Sequence, residues 1–217
     1  MKFQNAAKGV KRIFTAEILT LIATIAMIIA VLMTIVTLAA ASAESTGGTI
    51  AAGMSTLVLI AAAGILALIG GIMSLIGIIN ASKDESAFKT ALYGVIISVI
   101  AAVVMGIFSS NTTVQSICQG IQNVMSILIT VYVIHGIGNL ANKLNNTEVA
   151  EKANNLLKII VAVYVLALIA NIVVLVFGGM YASVTAAVIA IIAYVLQVVG
   201  YIFYLSLLSK GKKMLEA

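Results

Sequence analysis

The sequence predicts an all-α polytopic membrane protein: six transmembrane helices forming three parallel-oriented hairpin repeats, with approximate threefold pseudosymmetry and both termini cytoplasmic. Three observations carry this expectation. Charged residues make up only 9% of the 217 residues and hydrophobic ones 63%, with a mean hydropathy of +1.22. A soluble domain is about 25% charged, so a water-facing surface cannot be built from this inventory. Long uncharged stretches recur, and the cations between them all fall on one side of the resulting threading. Together these exclude a soluble enzyme, a nucleic-acid-binding module and a disordered chain.

Four stretches lack Asp, Glu, Lys and Arg: 18–43, 45–82, 90–142 and 159–209. One helix needs about 20 apolar residues to cross a bilayer. The first two stretches hold one span each. The last two are too long for one and divide at polar or Gly-rich breaks, Ser109-Ser110-Asn111-Thr112-Thr113 and Gly178-Gly179 through Ser183. The spans are then 17–41, 51–80, 88–108, 114–138, 158–177 and 183–208. The alternating rhythm of roughly ten residues seen in outer-membrane barrels is missing. The basic start, apolar run and Ala41-Ser42-Ala43 mimic a secretory signal, but the run is longer than the 7–15 residues of a signal core, so it is expected to remain as a span. Asn111-Thr112-Thr113 reads as a polar turn close to the membrane.

With six spans, all 12 cations lie on one side: Lys2, Lys8, Lys11 and Arg12 before span 1, Lys83 and Lys89 between spans 2 and 3, Lys143, Lys152 and Lys158 between spans 4 and 5, and Lys210, Lys212 and Lys213 after span 6. The opposite loops carry only Glu44. Basic loops stay in the cytoplasm, which places the chain in a bacterial-type cytoplasmic membrane with both ends inside. Phe14, Phe88, Tyr93, Tyr201, Phe203 and Tyr204 cluster near the same ends, where aromatic rings anchor at headgroup level.

Aligning Lys11, Lys89 and Lys158 brings three segments into register without a gap: residues 19–25 (LTLIATI), 97–103 (ISVIAAV) and 166–172 (LALIANI). The single membrane domain, 1–217, therefore divides into hairpins of about 1–82, 83–142 and 143–217, related by an axis along the membrane normal. Residues 3–14 place Phe3, Ala6, Ala7, Val10, Ile13 and Phe14 on one helical face, with Lys8, Lys11 and Arg12 elsewhere. This suits an interfacial amphipathic helix on anionic lipid. Ser82-Lys83-Asp84-Glu85 has the spacing of a capping box that starts span 3 directly.

Helices in lipid associate through close backbone approach. Ala63, Ala67 and Gly71 in span 2, and Ala182, Ala186 and Ala190 in span 6, recur every four residues, and Gly64/Gly71 and Gly70/Gly77 in span 2 recur at seven; these are the expected contact faces. With no proline in the chain, straight and continuous helices are expected.

Ionisable groups inside spans are few. Glu17 is expected to form an interfacial ion pair, and His135, the one histidine, an interfacial hydrogen bond. The notable polar feature is span 4. Gln115, Gln119, Gln122 and Ser126, at offsets of 4, 7 and 11, share one helical face, and Asn123 and Thr130 extend a neighbouring stripe; interhelical hydrogen bonding is the alternative use of such a face. With Asn171 and Gln197 these are the candidate lining residues of a polar groove. One His and one Cys (Cys118) make no typical structural zinc site, and no nucleophile–base pair or phosphate-binding loop is present. No catalytic residue, metal or cofactor is expected, and no nucleic-acid partner. The function expected is a permeation or solute-binding membrane unit, channel- or transporter-like, for an uncharged or weakly polar species. The alternative is an accessory subunit that scaffolds a membrane partner or homo-oligomerises. The bilayer itself, with anionic lipid at the cytoplasmic face, is the expected common partner.

Overall fold

The computed structural model describes the backbone of residues 2–41, 46–177 and 179–217, and the side chains of 2–36, 56–166, 169, 192 and 195–217. Six α-helices and no strand are found among the described residues: α1 Gln4–Ala41, α2 Thr46–Ala81, α3 Ser86–Ile107, α4 Thr112–Lys143, α5 Thr147–Phe177 and α6 Gly179–Glu216. Among those residues, four helices are long and apolar enough to cross a membrane. Their large apolar side chains point outward, including Ile28, Leu32, Leu57, Val58, Leu68, Val99, Ile100 and Val103. Water would not tolerate such a surface; lipid is as apolar as leucine and does.

The helices outrun the membrane. At 1.5 Å per residue, the 38 residues of α1 and of α6 each extend about 57 Å, against a hydrocarbon core of about 30 Å. Residues 4–14, within the segment expected as an interfacial amphipathic helix leading into span 1, form the first turns of α1, which runs without a break to Ala41. No proline or glycine pair interrupts this stretch, so the ladder simply continues. Residues 179–182, expected in the loop before span 6, belong instead to α6, which begins at Gly179. The break before α4 is where the polar run placed it, with Asn111 as N-cap accepting the Val114 N–H at 3.1 Å.

Two compact units divide the chain, residues 11–77 on one hand and residues 1–10 with 78–217 on the other. In the first, Ala16, Ala23 and Ala30 are buried at seven-residue spacing, as are Ala63, Gly70 and Gly77. A Cβ at Gly70 would stand 2.9 Å from the Thr20 hydroxyl and 3.2 Å from the Ala16 carbonyl, so α2 meets α1 here backbone to backbone. Of the two spacings the sequence offers, the buried small residues follow the seven-residue one. Ala67 and Gly71, expected on the contact face, are exposed, and nothing lies within 4 Å of a Cβ built on Gly71. Gly71 is one residue beyond Gly70, and a helix turns by about 100° per residue. Ala63 alone of that trio is buried. The side chains of Ala182, Ala186 and Ala190 lie outside the described residues.

In the second unit α3 packs most extensively on α4, and α5 on α6. Its core sits at the basic helix ends: Val10, Ile78, Phe88, Ile134, Ile137, Leu140, Leu156, Leu207 and Leu208 are all fully buried. Glycine seats the largest of these. A Cβ at Gly136 would lie 2.6 Å from the Phe88 ring, so the ring packs directly on the α4 backbone. Gly211 likewise faces Ile137 and Val10. Gly136→Ala should therefore lower stability by about 1–3 kcal/mol, the usual cost of overpacking, because a fully buried ring cannot retreat. Gly64→Ala and Gly106→Ala, where nothing lies within 4 Å, should leave the melting temperature in detergent unchanged or raise it.

Candidate functional site

The α2–α3 turn carries the one acidic pair in the described loops, Asp84-Glu85. It does not form the expected capping box. The Ser82 hydroxyl donates back to the Ile79 carbonyl at 2.8 Å, and Glu85, the N-cap of α3, makes no side-chain cap. The reason is tertiary: both carboxylates are engaged elsewhere. Asp84 accepts the Ala6 N–H at 2.8 Å and the Asn5 amide at 3.0 Å, capping the first turn of α1 from another element. Glu85 is buried and accepts the Asn139 amide at 3.0 Å and the Lys143 ammonium. Lys143 also lies 6.0 Å from the Phe3 ring centre.

Burial pushes the Glu85 carboxyl up. The hydrogen bonds from Lys143 and Asn139, the Lys143 charge and the Ala87 N–H outweigh this and hold it below its ordinary value of 4.5. At the α5–α6 side, the hydrogen bond from Lys210 lowers the Glu148 carboxyl in the same sense.

The α4–α5 connection is a local consequence of sequence. Asn145 takes a positive φ of 54°, which asparagine accepts more readily than most residues. The Asn145 and Asn146 N–H groups donate to the Asn142 and Ala141 carbonyls at 3.1 and 2.9 Å, a Schellman ending. The Asn146 side chain then accepts the Val149 N–H at 3.1 Å and starts α5. This tight reversal lays α5 along α4, with Gly138 letting Ala153 approach.

Between the two helices lies a cavity of about 340 Å³ lined by His135, Gly138, Asn139, Asn142, Ala150, Glu151, Ala153, Asn154 and Leu157. Three amides, an imidazole and a carboxylate converge there. The volume falls in the small-molecule range. Asn139 belongs to both features: it lines the cavity and donates to buried Glu85.

The residues expected to line a groove are placed individually. The Gln115 amide donates to the Ser109 carbonyl at the helix start. Gln115 and Gln122 are half-buried, whereas Gln119, Asn123 and Ser126 are exposed on α4, and Gln197 is exposed on α6. The side chain of Asn171 lies outside the described residues. Of the cavity residues, sequence reading singled out His135 alone. A signal was available: His135, Asn139 and Asn142 stand at offsets of 4 and 7 on one face. Among the described residues, no three His, Cys, Asp or Glu stand close enough to hold a metal ion.

Because the Glu85 pKa is depressed on folding, its ion pair contributes fully above pH 4.5 and is lost as pH falls through the folded value. Melting temperature in detergent should therefore decline below pH 4.5, with a shallower decline in Glu85→Gln. Lys143→Met, which strips a buried carboxylate of a partner, should cost roughly 1–3 kcal/mol at neutral pH. No protein-family model matches this chain, and no curated protein or solved structure matches it either.

Proposed function

We propose that this is a non-enzymatic permeation or solute-binding unit of the cytoplasmic membrane, with its binding site in the α4–α5 cavity. The observation that carries the reading is chemical. In a chain with 9% charged residues, five polar side chains border one open groove of ligand size, at the helix ends where the packed core lies. Asn139, Asn142 and Asn154 each offer donor and acceptor groups, and Glu151 is the one carboxylate. The lining suits a small polar solute, uncharged or weakly cationic. Asn139 ties occupancy to the Glu85–Lys143 pair and through it to the α2–α3 turn.

The site lies on the cytoplasmic side, with both termini, six spans and anionic lipid against the basic surface. Support comes from the helix ends themselves. The start of α1, the α2–α3 turn, the end of α4 and the start of α5 meet through Asp84, Glu85 and Ala153, and α6 joins them through Gly211 and Lys210. The three-hairpin plan draws support from burial. In the register that aligns Lys11, Lys89 and Lys158, Gly9, Ala87 and Leu156 are all buried, as are Ala23 and Ala101. Its hairpins are about 1–82, 83–142 and 143–217.

Thermal-shift screening of purified protein against sugars, polyols, amino acids and small amines should find a stabilising solute. Asn154→Leu with Asn142→Leu should weaken its binding at least tenfold without lowering basal stability. If no solute shifts the melting point, or the variant responds as the parent does, the site assignment fails. In a Cys118→Ser background, Lys83→Cys should react with an impermeant thiol reagent only from the cytoplasmic face, and Ser110→Cys only from the opposite face. Reaction of both from one face would overturn the threading.

A further inference from the structure

Of the polar side chains bordering the α4–α5 groove, Asn139 is the one whose orientation a hydrogen bond sets. Its amide Nδ2 donates to Glu85 Oε1 at 3.0 Å. Glu85 is held below its ordinary pKa and is ionised at neutral pH. An ionised carboxylate only accepts, so the Asn139 amide cannot turn around. What Asn139 has left for the groove is Oδ1, an acceptor that takes no bond among the described residues. Glu151 adds a second acceptor. Glu85 is neutralised by Lys143 and Glu148 by Lys210, whereas Glu151 makes no ion pair among the described residues. Among those residues no lysine, arginine or aromatic ring borders the groove. The rest of its α5 side is apolar, with Ala150, Ala153 and Leu157 at successive offsets of 3 and 4. All of these residues belong to one compact unit of the chain.

We propose that the groove binds the primary ammonium group of a small solute with a short carbon body, with Glu151 and Asn139 Oδ1 as acceptors and Glu85 as the residue that positions Asn139. This rests on the groove being the solute site. An ammonium carries three donors and no acceptor, the complement of a fixed amide oxygen beside an unpaired carboxylate. Hydrogen bonds with an ionised partner are about twice as strong as neutral ones, so the charged head is favoured over a hydroxyl. The apolar side of α5 then takes the carbon body. Other ligand classes meet the wrong lining. An anion finds a carboxylate and no cationic side chain. A quaternary ammonium has no N–H to donate and finds no aromatic face. A metal ion finds His135 and Glu151 but no third ligand of that kind, since among the described residues no three His, Cys, Asp or Glu stand close enough to hold one. A polyol makes neutral bonds only.

The test titrates the full chain in detergent at neutral pH, by NMR, with three matched probes: ethanolamine, ethylene glycol, in which a hydroxyl replaces the ammonium, and choline, in which the ammonium is quaternary. Ethanolamine should bind about tenfold or more tightly than either of the others, at the low end of what hydrogen bonds to a charged group contribute. Glu151→Gln should remove that preference by weakening ethanolamine and leaving ethylene glycol unchanged. Glu85→Gln, whose own amide lets Asn139 turn either way, should narrow the ratio of the two affinities. A purely structural role for Glu85 would weaken both probes alike and leave the ratio where it was, which would overturn its positioning role. Ethanolamine that does not bind, that binds no better than ethylene glycol, or that keeps its preference in Glu151→Gln would overturn the ammonium assignment. The site and its ligand class fail separately. Probes that bind equally, and are both weakened by Asn142→Leu with Asn154→Leu, remove the ammonium and keep the site. Ethanolamine bound as tightly by that double variant as by the parent removes the site as well.

Discussion

A charge cannot be carried cheaply into hydrocarbon, and the organisation of this protein depends on that. Taking an ionised group from water into a medium of low dielectric constant costs several kcal/mol even after relaxation, so the few charges of the chain gather where the helices end. The ends then become the places where charged side chains pair, as Glu85 does with Lys143 and Glu148 with Lys210. The helices run well past the thickness of the bilayer core, and their surplus length packs into a core of its own around Phe88, Ile137 and Leu207. Tertiary specificity is concentrated there. The middles of the helices, with their outward Ile, Leu and Val, meet the solvent they were composed for.

Within that frame glycine and asparagine do most of the shaping. Gly136 admits the Phe88 ring, Gly70 admits the Thr20 hydroxyl and the Ala16 carbonyl of α1, and Gly138 admits Ala153. In each case the missing side chain is what brings two elements together, as expected where association rests on contact rather than on water exclusion. Asparagine closes the turns: Asn111 opens α4, Asn145 takes the left-handed conformation after it, and Asn146 opens α5. Without proline, the helices continue until such residues stop them, which is why the amphipathic start of the chain merges with α1.

Helix α4 carries two polar surfaces with separate surroundings. Near its C-terminal end, His135, Asn139 and Asn142 face α5 across a cavity. On its outer half, Gln119 and Asn123 are exposed. Asn139 is the link between the first of these and the acidic turn, because one side chain borders the cavity and bonds Glu85.

Helix class, the number of helices and the breaks near 82–85 and 109–113 were legible in the sequence, because they follow from local chemistry: unbroken apolar composition, the distribution of charge, and asparagines at the turns. The contact face of α2 was legible only in part. Small residues recur there at both four and seven positions, and only the partner helix selects Ala63 and Gly70 over Ala67 and Gly71. The site was the least legible. Asp84 and Glu85 look like an ordinary solvated loop, and a capping box is the natural local expectation. Their engagement with Ala6, Asn139 and Lys143, which stand about 50 to 80 positions away in the chain, exists only once the helix ends converge. Composition by itself determined the solvent and therefore the helices. The tertiary structure decided which polar groups meet, because a hydrogen bond needs atoms within about 3 Å and no local pattern of residues encodes that distance across separate helices.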